Sequence, residues 1–428
     1  MAASVSENEF VFSRNINNLN VFPKDAIVIC GLVKQVYARE NALRIVESTG
    51  LDVIIVTNER DVPSGILDNG LFVLSIFEFY KETLCGKLLR RVFTTVEVSV
   101  ARFLRPLDFE RMSEGFGNQN ATLSVYLFFA SRKIIKSINP KYIVAHQAVR
   151  YGFIAAMNNS KSFIFPYGQD IYSFGRSNYF IEKLLIFAFK KVKGVILGSS
   201  SAKNYLTEYY GVLSDKCFVY DYIPESSFFN KISDQKKLRV KYGLDFDSFI
   251  VVDIRRFAKG WGAESICEAF LNLASSDDNF IFILMSGGFD PDNKFLLERI
   301  EKSNYRSKFL IFEESVSIEQ YSELLSLSDL GLSIMETGEM RSGSILNAAA
   351  IGLPMLMNFD SEFFNLSEYG FKASYLSSIS SENIENRIYQ LRSDRDSLLA
   401  MSESSMGYIR YASKHGVSLE VLYGDIFR

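Results

Sequence analysis

The sequence predicts an α/β protein with two Rossmann-like domains, each built on a parallel sheet that helices cover on both faces. The chain has 428 residues, of which 48% are hydrophobic, enough for two or three domain cores. Short, continuously apolar runs rich in β-branched residues alternate with amphipathic segments, which is typical of parallel strands separated by helices. Because these runs fall into two series, each long enough for its own sheet, we expect two domains.

The apolar runs define the predicted strands. In the first half of the chain they cover residues 26–31, 52–57, 71–76, 142–146, 162–166 and 194–197. In the second half they cover residues 249–254, 280–285, 309–312, 331–335 and 355–358. The pattern breaks between residues 222 and 237, around Pro224, so we expect one domain at 1–224 and another at 225–404. The segment from 394 to 428 is predicted to be largely helical.

Composition and charge narrow the range of possible functions. The net charge is −3, which does not favour nucleic acid as a partner. Four cysteines lie far apart without metal or redox spacing, and two histidines are too few for a histidine-built metal centre. The N-terminus has no pattern of a secretory signal, and lysines interrupt the most apolar stretch, at 180–197. We therefore expect a cytoplasmic protein, free or at a membrane surface.

The segment 330–356 contains the strongest indication of a ligand site. After a predicted strand comes a loop with Glu336 and Glu339, and then the run Ser342-Gly343-Ser344 opens a helix rich in small residues. Backbone N–H groups at such a helix start can bind an anion or a sugar hydroxyl. Gly352 is predicted to end the helix. Any α/β protein can use a strand, a helix and a glycine stop, but two acids beside this helix start favour a ligand site.

A second loop, which also follows a predicted strand, carries cationic side chains. Arg255, Arg256 and Lys259 follow the predicted strand 249–254, and a glycine comes directly after the lysine. Arginine binds phosphate oxygens as a planar fork and lysine as a point charge, so the loop suits a diphosphate. A solvated basic turn is the alternative. This loop and the segment 330–356 occur together, in the chain order expected of a single ligand site, and this favours the diphosphate interpretation.

These motifs resemble the nucleotide-sugar half of retaining glycosyltransferases with the GT-B fold, in particular glycosyltransferase family 4. The resemblance implies two Rossmann-like domains whose parallel sheets face each other across a cleft, with a C-terminal helix at 405–428 completing the first domain. It assigns the donor diphosphate to Lys259 and an arginine, Arg255 before Arg256, and the donor sugar to Glu339. The family's second glutamate falls at position 347, where this chain has Asn347, which would hold the ribose by neutral hydrogen bonds.

The resemblance also assigns loops at the ends of other strands. Gly287 and Val316 would lie in the donor site, the latter in a loop that packs on the nucleobase, with backbone amides of Ser342, Gly343 and Ser344 at the helix start. In the first domain Gly31 would approach the donor phosphate. Asp170 would contact a sugar, in a loop where Tyr167 stands at the position usually held by histidine. His146 ends a predicted strand at the same edge, where a structural role is the commoner one for a lone histidine.

The expected activity is that of a retaining glycosyltransferase of the hexosyltransferase type, active in surface polysaccharide synthesis. It would move a sugar from a nucleotide-diphosphate donor to a hydroxyl of a glycan or lipid-linked acceptor. The sugar nucleotide is then a co-substrate, and neither a cofactor nor a metal is expected. A basic amphipathic segment at 86–105 could rest on anionic lipid at the inner face of a membrane, although an ordinary surface element is the commoner explanation of such a segment. A nucleotide-sugar epimerase of the same fold and a non-catalytic partner subunit remain as alternatives.

Overall fold

The structure is a computed structural model, and contacts divide the chain into two compact units, residues 1–220 with 417–428 and residues 221–416. It describes residues 12–15, 22–31, 36–57, 64–67, 71–76, 125–149, 151–158, 161–172, 179–221, 235–257, 261–277, 279–285, 294–314, 316–335, 343–358 and 370–427. The expected segment 405–428 is divided between the units. Helix Arg395–His415 lies in the second unit because Tyr408, Ile409 and Ala412 are buried in its core.

The first unit is built on a nine-stranded sheet in the order β1-β4-β5-β3-β2-β6-β7-β8-β9. Its strands are β1 Phe12–Asn15, β2 Ile27–Cys30, β3 Val53–Thr57, β4 Gly65–Leu67, β5 Phe72–Ser75, β6 Tyr142–His146, β7 Ser162–Phe165, β8 Gly194–Leu197 and β9 Cys217–Val219. The pairings from β5 through β9 are parallel, whereas β4 pairs antiparallel with both β1 and β5. The sheet is therefore mainly parallel, as expected, and β1 and β4 add an antiparallel edge.

Helices cover this sheet and complete its core. They are Val36–Thr49, Val125–Ile138, Gly152–Ala156, Gly168–Tyr172, Tyr179–Lys191, Ser200–Tyr210 and the C-terminal Leu419–Phe427. The C-terminal helix packs on helix Val36–Thr49 and buries Leu422, Tyr423 and Phe427 in the core beside β2 and β3. Burial of these apolar side chains ties the last residues of the chain to its first domain.

The second unit contains a six-stranded sheet in which every pairing is parallel. Its strands are β10 Phe249–Arg256, β11 Phe280–Met285, β12 Phe309–Phe312, β13 Leu330–Ser333, β14 Met355–Met357 and β15 Ser374–Tyr375, in the order β12-β11-β10-β13-β14-β15. Counted along the chain this is the 3-2-1-4-5-6 order of the Rossmann fold, and the order reverses between β10 and β13. Ligands of such sheets bind at that reversal, outside the carboxyl ends of the strands.

Helices lie on both faces of the second sheet. They are Gln235–Lys241, Ala263–Ser276, Lys294–Glu301, Ile318–Leu327, Gly343–Ile351, Ser381–Ser393 and Arg395–His415. Alternate residues of β10 enter different cores: Ile250 and Val252 pack in one, and Val251 packs in the other. A strand buried on both faces reads as a continuous apolar run, which explains why every predicted strand is present in the structure.

Candidate functional site

The carboxyl end of β10, beside the reversal of strand order, carries an irregular backbone. Val252 pairs with Ile283 of β11, and the next pairing joins Arg256 to Met285. Between these pairs β10 has three residues and β11 has one, so the ladder is interrupted by a bulge at residues 253–255. The Asp253 Oδ1 atom accepts a hydrogen bond of 3.0 Å from the backbone N–H of Arg255. This Asx-type bond satisfies a backbone donor within the bulge.

The bulge leads to the predicted cation Arg255, whose side chain is 8% exposed. The Arg255 guanidinium carbon lies 4.1 Å from the ring centroid of Trp261, a cation–π contact. Its Nη1 atom donates a hydrogen bond of 3.3 Å to the Ser344 Oγ atom, at the start of helix Gly343–Ile351. The structure thus brings together two predicted site residues from different loops. It also adds Trp261, which the sequence reading missed.

A positive side chain at a helix N-terminus adds to the positive end of the helix dipole, which disfavours the arrangement in the absence of an anion. Arg255 and the start of helix Gly343–Ile351 nonetheless converge at the point where Rossmann-type sheets bind ligands. An anionic ligand would interact favourably with both groups. The arrangement therefore suits a phosphate or diphosphate.

Asp253 is a second site feature that the sequence reading missed. Its side chain is fully buried, and burial raises the pKa of its carboxyl from 3.8 to about 7, although the Arg255 N–H and the Arg255 charge act in the opposite direction. Its Oδ2 atom has no hydrogen-bond partner among the residues that the structure describes. A single aspartate inside the apolar run of β10 was the available signal.

Defined contacts hold the C-terminal end of helix Gly343–Ile351 and the backbone at Met335, which precedes it. Gly352 ends it with φ of 77°, and a Cβ at this position would lie 2.9 Å from the Met406 Cγ atom. Before the helix, the Asn358 side chain accepts from the Met335 N–H at 2.9 Å and donates to the Met335 carbonyl at 2.7 Å. These two bonds fix the backbone of Met335, two residues after β13 ends.

Ser344 and Asn347 are half-buried and lie one turn apart on one side of helix Gly343–Ile351. Val316 is half-buried and packs against the core, directly before helix Ile318–Leu327. Their contacts with a donor stay predictions. Further predicted site residues lie outside the described residues: Lys259, Gly287, Glu336, Glu339, Ser342 and the side chain of Arg256.

The first unit has its own reversal of strand order, between β2 and β6, and the predicted residues of that unit lie there. Gly31 follows β2, and a Cβ on it would lie 3.4 Å from the His146 Cβ atom at the end of β6. The His146 Nδ1 atom is hydrogen-bonded to the Tyr167 hydroxyl at 3.0 Å, and the imidazole stacks on Phe165. Burial lowers the pKa of His146 to about 3, so the ring is neutral near pH 7.

Asp170 is buried and forms two backbone hydrogen bonds. Its Oδ2 atom accepts from the Tyr167 N–H at 2.9 Å and from the Ala148 N–H at 2.8 Å. The first bond has the form of a capping box, in which an acid in the first turn of helix Gly168–Tyr172 binds back to the residue before the helix. Burial raises the pKa of Asp170 to about 6. These bonds join the loops after β6 and β7, and a direct contact with a sugar stays a prediction.

In the described part of the chain, no three His, Cys, Asp or Glu side chains lie together as a metal site would need. Among the helices described, none has the length and apolar character needed to cross a membrane.

The sequence is similar to known proteins over parts of its length. Residues 107–199 match the family described as Glycosyl transferase 4-like. Over 191 residues the chain is 25% identical to alpha-monoglucosyldiacylglycerol synthase of Acholeplasma laidlawii, a match that spans 44% of this chain and 46% of that relative.

Solved structures extend the similarity to the whole chain. Sucrose-phosphate synthase from Thermosynechococcus elongatus superposes with a TM-score of 0.67 at 10% identity, covering 94% of this chain and 96% of that one. HepE from Anabaena, solved with UDP and glucose, superposes with a TM-score of 0.64 at 14% identity, covering 94% and 98%. A glycosyltransferase from Rickettsia africae gives a TM-score of 0.63 at 15% identity, covering 95% and 100%.

The two parallel-dominated sheets and these superpositions define the class of protein: the chain has the GT-B fold. Residues 107–199 add a sequence similarity to the Glycosyl transferase 4-like family over about a fifth of the chain.

Proposed function

We propose that this protein is a retaining glycosyltransferase that transfers a sugar from a nucleotide-diphosphate donor to an acceptor hydroxyl. The observation that carries the proposal is the convergence of Arg255 on the N-terminus of helix Gly343–Ile351, at the strand-order reversal of a Rossmann-type sheet. Support comes from the 4-like family match and from HepE, a protein of the same fold that was solved with UDP and glucose. Retention of configuration rests on the resemblance of the motifs to glycosyltransferase family 4.

The proposed mechanism is electrostatic. As the bond between the sugar and the diphosphate breaks, negative charge develops on the leaving phosphate. Arg255 and Lys259, assisted by Arg256 and the amides of residues 342–344, would stabilise that charge without a metal. Glu339 would hold the donor sugar, and Asn347 would bind the ribose hydroxyls. Gly287 and Val316 would line the nucleotide site through their backbone, while Gly31 and Asp170 keep their predicted roles toward the phosphate and the sugars.

Donor binding is tested by thermal shift with UDP, GDP and ADP. A nucleotide that binds the folded protein alone raises the melting temperature by mass action. We expect a rise with one nucleotide, and we expect Arg255→Ala to abolish it. Arg410→Ala is the matched control, since Arg410 is an exposed arginine of the same unit. Equal shifts in both variants would show that Arg255 does not bind the diphosphate.

Two other functions give different results. An epimerase of the same fold would convert a sugar nucleotide to a new epimer without any acceptor, whereas a transferase requires the acceptor. A non-catalytic partner subunit would show no transfer and no dependence of nucleotide binding on Arg255. Incubation of the protein with the stabilising sugar nucleotide, followed by separation of the products, distinguishes these outcomes.

We further propose a lipid-linked or membrane-borne acceptor, with contact at the cytoplasmic face of the membrane. The support is a stripe on helix Tyr179–Lys191, formed by Tyr179, Lys183, Phe187 and Lys191 at intervals of one helical turn. Tyr179 is 75% exposed and Phe187 is 44% exposed. A lysine ammonium lies near each ring, at 4.9 Å from that of Tyr179 and 5.8 Å from that of Phe187.

Exposed aromatic rings with adjacent lysines suit the interface of an anionic bilayer, where rings enter the headgroup region and each lysine near the surface contributes about 1 kcal/mol. Lys190 and Lys193 are exposed at the same end of the helix. The relative from Acholeplasma laidlawii is named as a synthase of a glycolipid, which fits an acceptor in a membrane. The segment 86–105, the other basic stretch, lies outside the described residues.

Vesicle sedimentation tests the stripe. We expect binding to phosphatidylcholine vesicles only when they contain phosphatidylglycerol, and a loss on the order of 10-fold or more in the variant with Lys183→Glu and Lys191→Glu, because two attractive charges become repulsive. The contribution of the rings is tested by comparing the vesicle binding of Phe187→Ser with that of Tyr411→Ser. The latter is the control, since Tyr411 is 50% exposed on a helix of the second unit. Unchanged binding in the double variant would contradict the proposal.

A further inference from the structure

The bulge in β10 places a buried acid two positions before the predicted diphosphate-binding arginine. One residue lies between Ile283 and Met285 along β11, whereas three lie between their partners Val252 and Arg256 along β10. A bulge bends its strand and redirects the side chains that follow it. Here it presents the Arg255 guanidinium to Trp261 and Ser344.

The Asp253 carboxyl accepts a backbone hydrogen bond within the bulge. Its Oδ1 atom accepts the Arg255 N–H at 3.0 Å, which closes a two-residue turn. Removing the carboxyl would take this acceptor out of a buried segment, which costs free energy and favours a different backbone conformation. The Asp253 acceptor therefore determines the direction in which the Arg255 side chain points from β10.

We infer that Asp253 is a positioning residue of the donor site: its carboxyl group fixes the bulge that holds Arg255 over Trp261 and beside Ser344. The consequence for donor binding rests on the proposed function, but the geometry itself can be measured without a donor.

The charge state of Asp253 provides a way to perturb this geometry. Burial raises the pKa of the carboxyl to about 7, so its ionisation changes near neutral pH. Among the described residues, Arg255 is the charged group that acts on it. The elements packed on this stretch contribute hydroxyl groups: that of Tyr321 donates to the Ile254 carbonyl at 3.2 Å, and that of Ser344 contacts Arg255.

Trp261 makes the geometry observable, because it is the single tryptophan of the chain and lies against the Arg255 guanidinium. We expect the wild-type Trp261 emission to change with a midpoint near pH 7. In Asp253→Asn the amide oxygen can still accept the Arg255 N–H, but the group carries no charge, so the emission should stay constant between about pH 5 and 9. In Asp253→Ala the acceptor is lost, and the emission should approach that of Arg255→Ala.

The control for the pH series is His415→Gln, which replaces an exposed histidine of the same unit. The Trp261 emission of this variant should change with pH as that of the wild type does. Circular dichroism of each variant confirms that the fold is intact, and Asp253→Asn keeps the test valid if Asp253→Ala does not fold. A wild-type emission spectrum in Asp253→Ala, or a titration that persists in Asp253→Asn, would overturn the inference.

A donor measurement separates this inference from the proposed function. Calorimetry with UDP, GDP and ADP should show that Asp253→Asn binds the same nucleotide as the wild type at about pH 6, while Asp253→Ala and Arg255→Ala lose on the order of 10-fold in affinity or more. If the wild type binds none of the three, the proposed function fails, and the fluorescence result still decides whether Asp253 positions Arg255. Wild-type affinity in a folded Asp253→Ala variant would refute the positioning role.

Discussion

Because Asp253 is buried, we expect the unfolding free energies of the wild type and of Asp253→Asn to differ by an amount that depends on pH. The carboxyl is fully buried, and its pKa rises from 3.8 in the unfolded chain to about 7 in the folded protein. The folded state therefore prefers the protonated acid. Stability from this group is fully present below pH 3.8 and is lost as pH rises through about 7. Replacing the carboxyl by the neutral amide in Asp253→Asn removes that loss.

The magnitude follows from the size of the pKa shift. A change from 3.8 to about 7 is roughly 3 pKa units, and at 1.36 kcal/mol per unit it corresponds to about 4 kcal/mol. The difference in unfolding free energy between Asp253→Asn and the wild type should thus grow by about 4 kcal/mol between about pH 4 and pH 8. In melting temperature this corresponds to roughly 8–16 °C for a unit of 150–250 residues.

Urea unfolding followed by Trp261 fluorescence measures the difference in the unit that contains Asp253. The two proteins are compared at about pH 4, 6 and 8, together with Asp396→Asn as a control at an exposed aspartate of the same unit. A difference between Asp253→Asn and the wild type that stays constant with pH would refute the reasoning, because it would show that the buried carboxyl titrates equally in the folded and unfolded states.

Other predictions concern packing, a buried ion pair and catalysis. Gly262 has φ of 70°, and its Cβ would lie 2.5 Å from the Ile334 Cγ2 atom, so Gly262→Ala should cost about 2–4 kcal/mol in urea unfolding. Gly243 has φ of 67°, and a Cβ there would meet no atom within 4 Å among the described residues beyond its chain neighbours, so Gly243→Ala should cost only about 1–2 kcal/mol; equal costs would contradict the packing argument. The buried Arg239 pairs with the half-buried Asp329 at 2.8 Å, so Arg239→Met should cost about 3–5 kcal/mol. The pair of the exposed Lys241 with Glu323 provides its control, since Lys241→Met should cost about 1 kcal/mol or less by the same measurement. Lys259→Ala should lower turnover on the order of 100-fold if it stabilises the leaving group, and near-normal turnover would remove Lys259 from the mechanism.

Much of the architecture could be predicted from the sequence because strands that are buried on both faces are apolar throughout. The predicted runs correspond to β2, β3, β5, β6, β7, β8, β10, β11, β12, β13 and β14. The strands that were missed are β1, β4, β9 and β15, which are two to four residues long. Such short strands are defined by pairing with a neighbour, and periodicity within two to four residues carries little signal.

The order of strands in each sheet could not be derived from the pattern alone. The antiparallel β1–β4 edge depends on contacts between segments about fifty residues apart, from Phe12 to Leu67. The division of the last segment is also a packing result, since helix Arg395–His415 and helix Leu419–Phe427 have similar amphipathic character but enter different cores. Tertiary contacts, and not local propensity, decide both features.

The candidate site was predicted in part. The sequence placed Arg255 and Ser344 in loops of one site, and the structure joins them by a hydrogen bond. The role of Asp253 was not predictable, because the bulge exists only where β10 and β11 lose register. The backbone bonds of Asp170 were likewise hidden, since they depend on Ala148 lying beside helix Gly168–Tyr172. The predicted roles of Lys259, Glu339 and Ser342 await observation.

The most direct test is a crystal structure of the protein with the nucleoside diphosphate that stabilises it. We expect the phosphate oxygens to accept hydrogen bonds from the Arg255 guanidinium and from the first backbone amides of helix Gly343–Ile351. A nucleotide bound with its phosphates away from both groups would contradict the assignment of this strand end as the donor site.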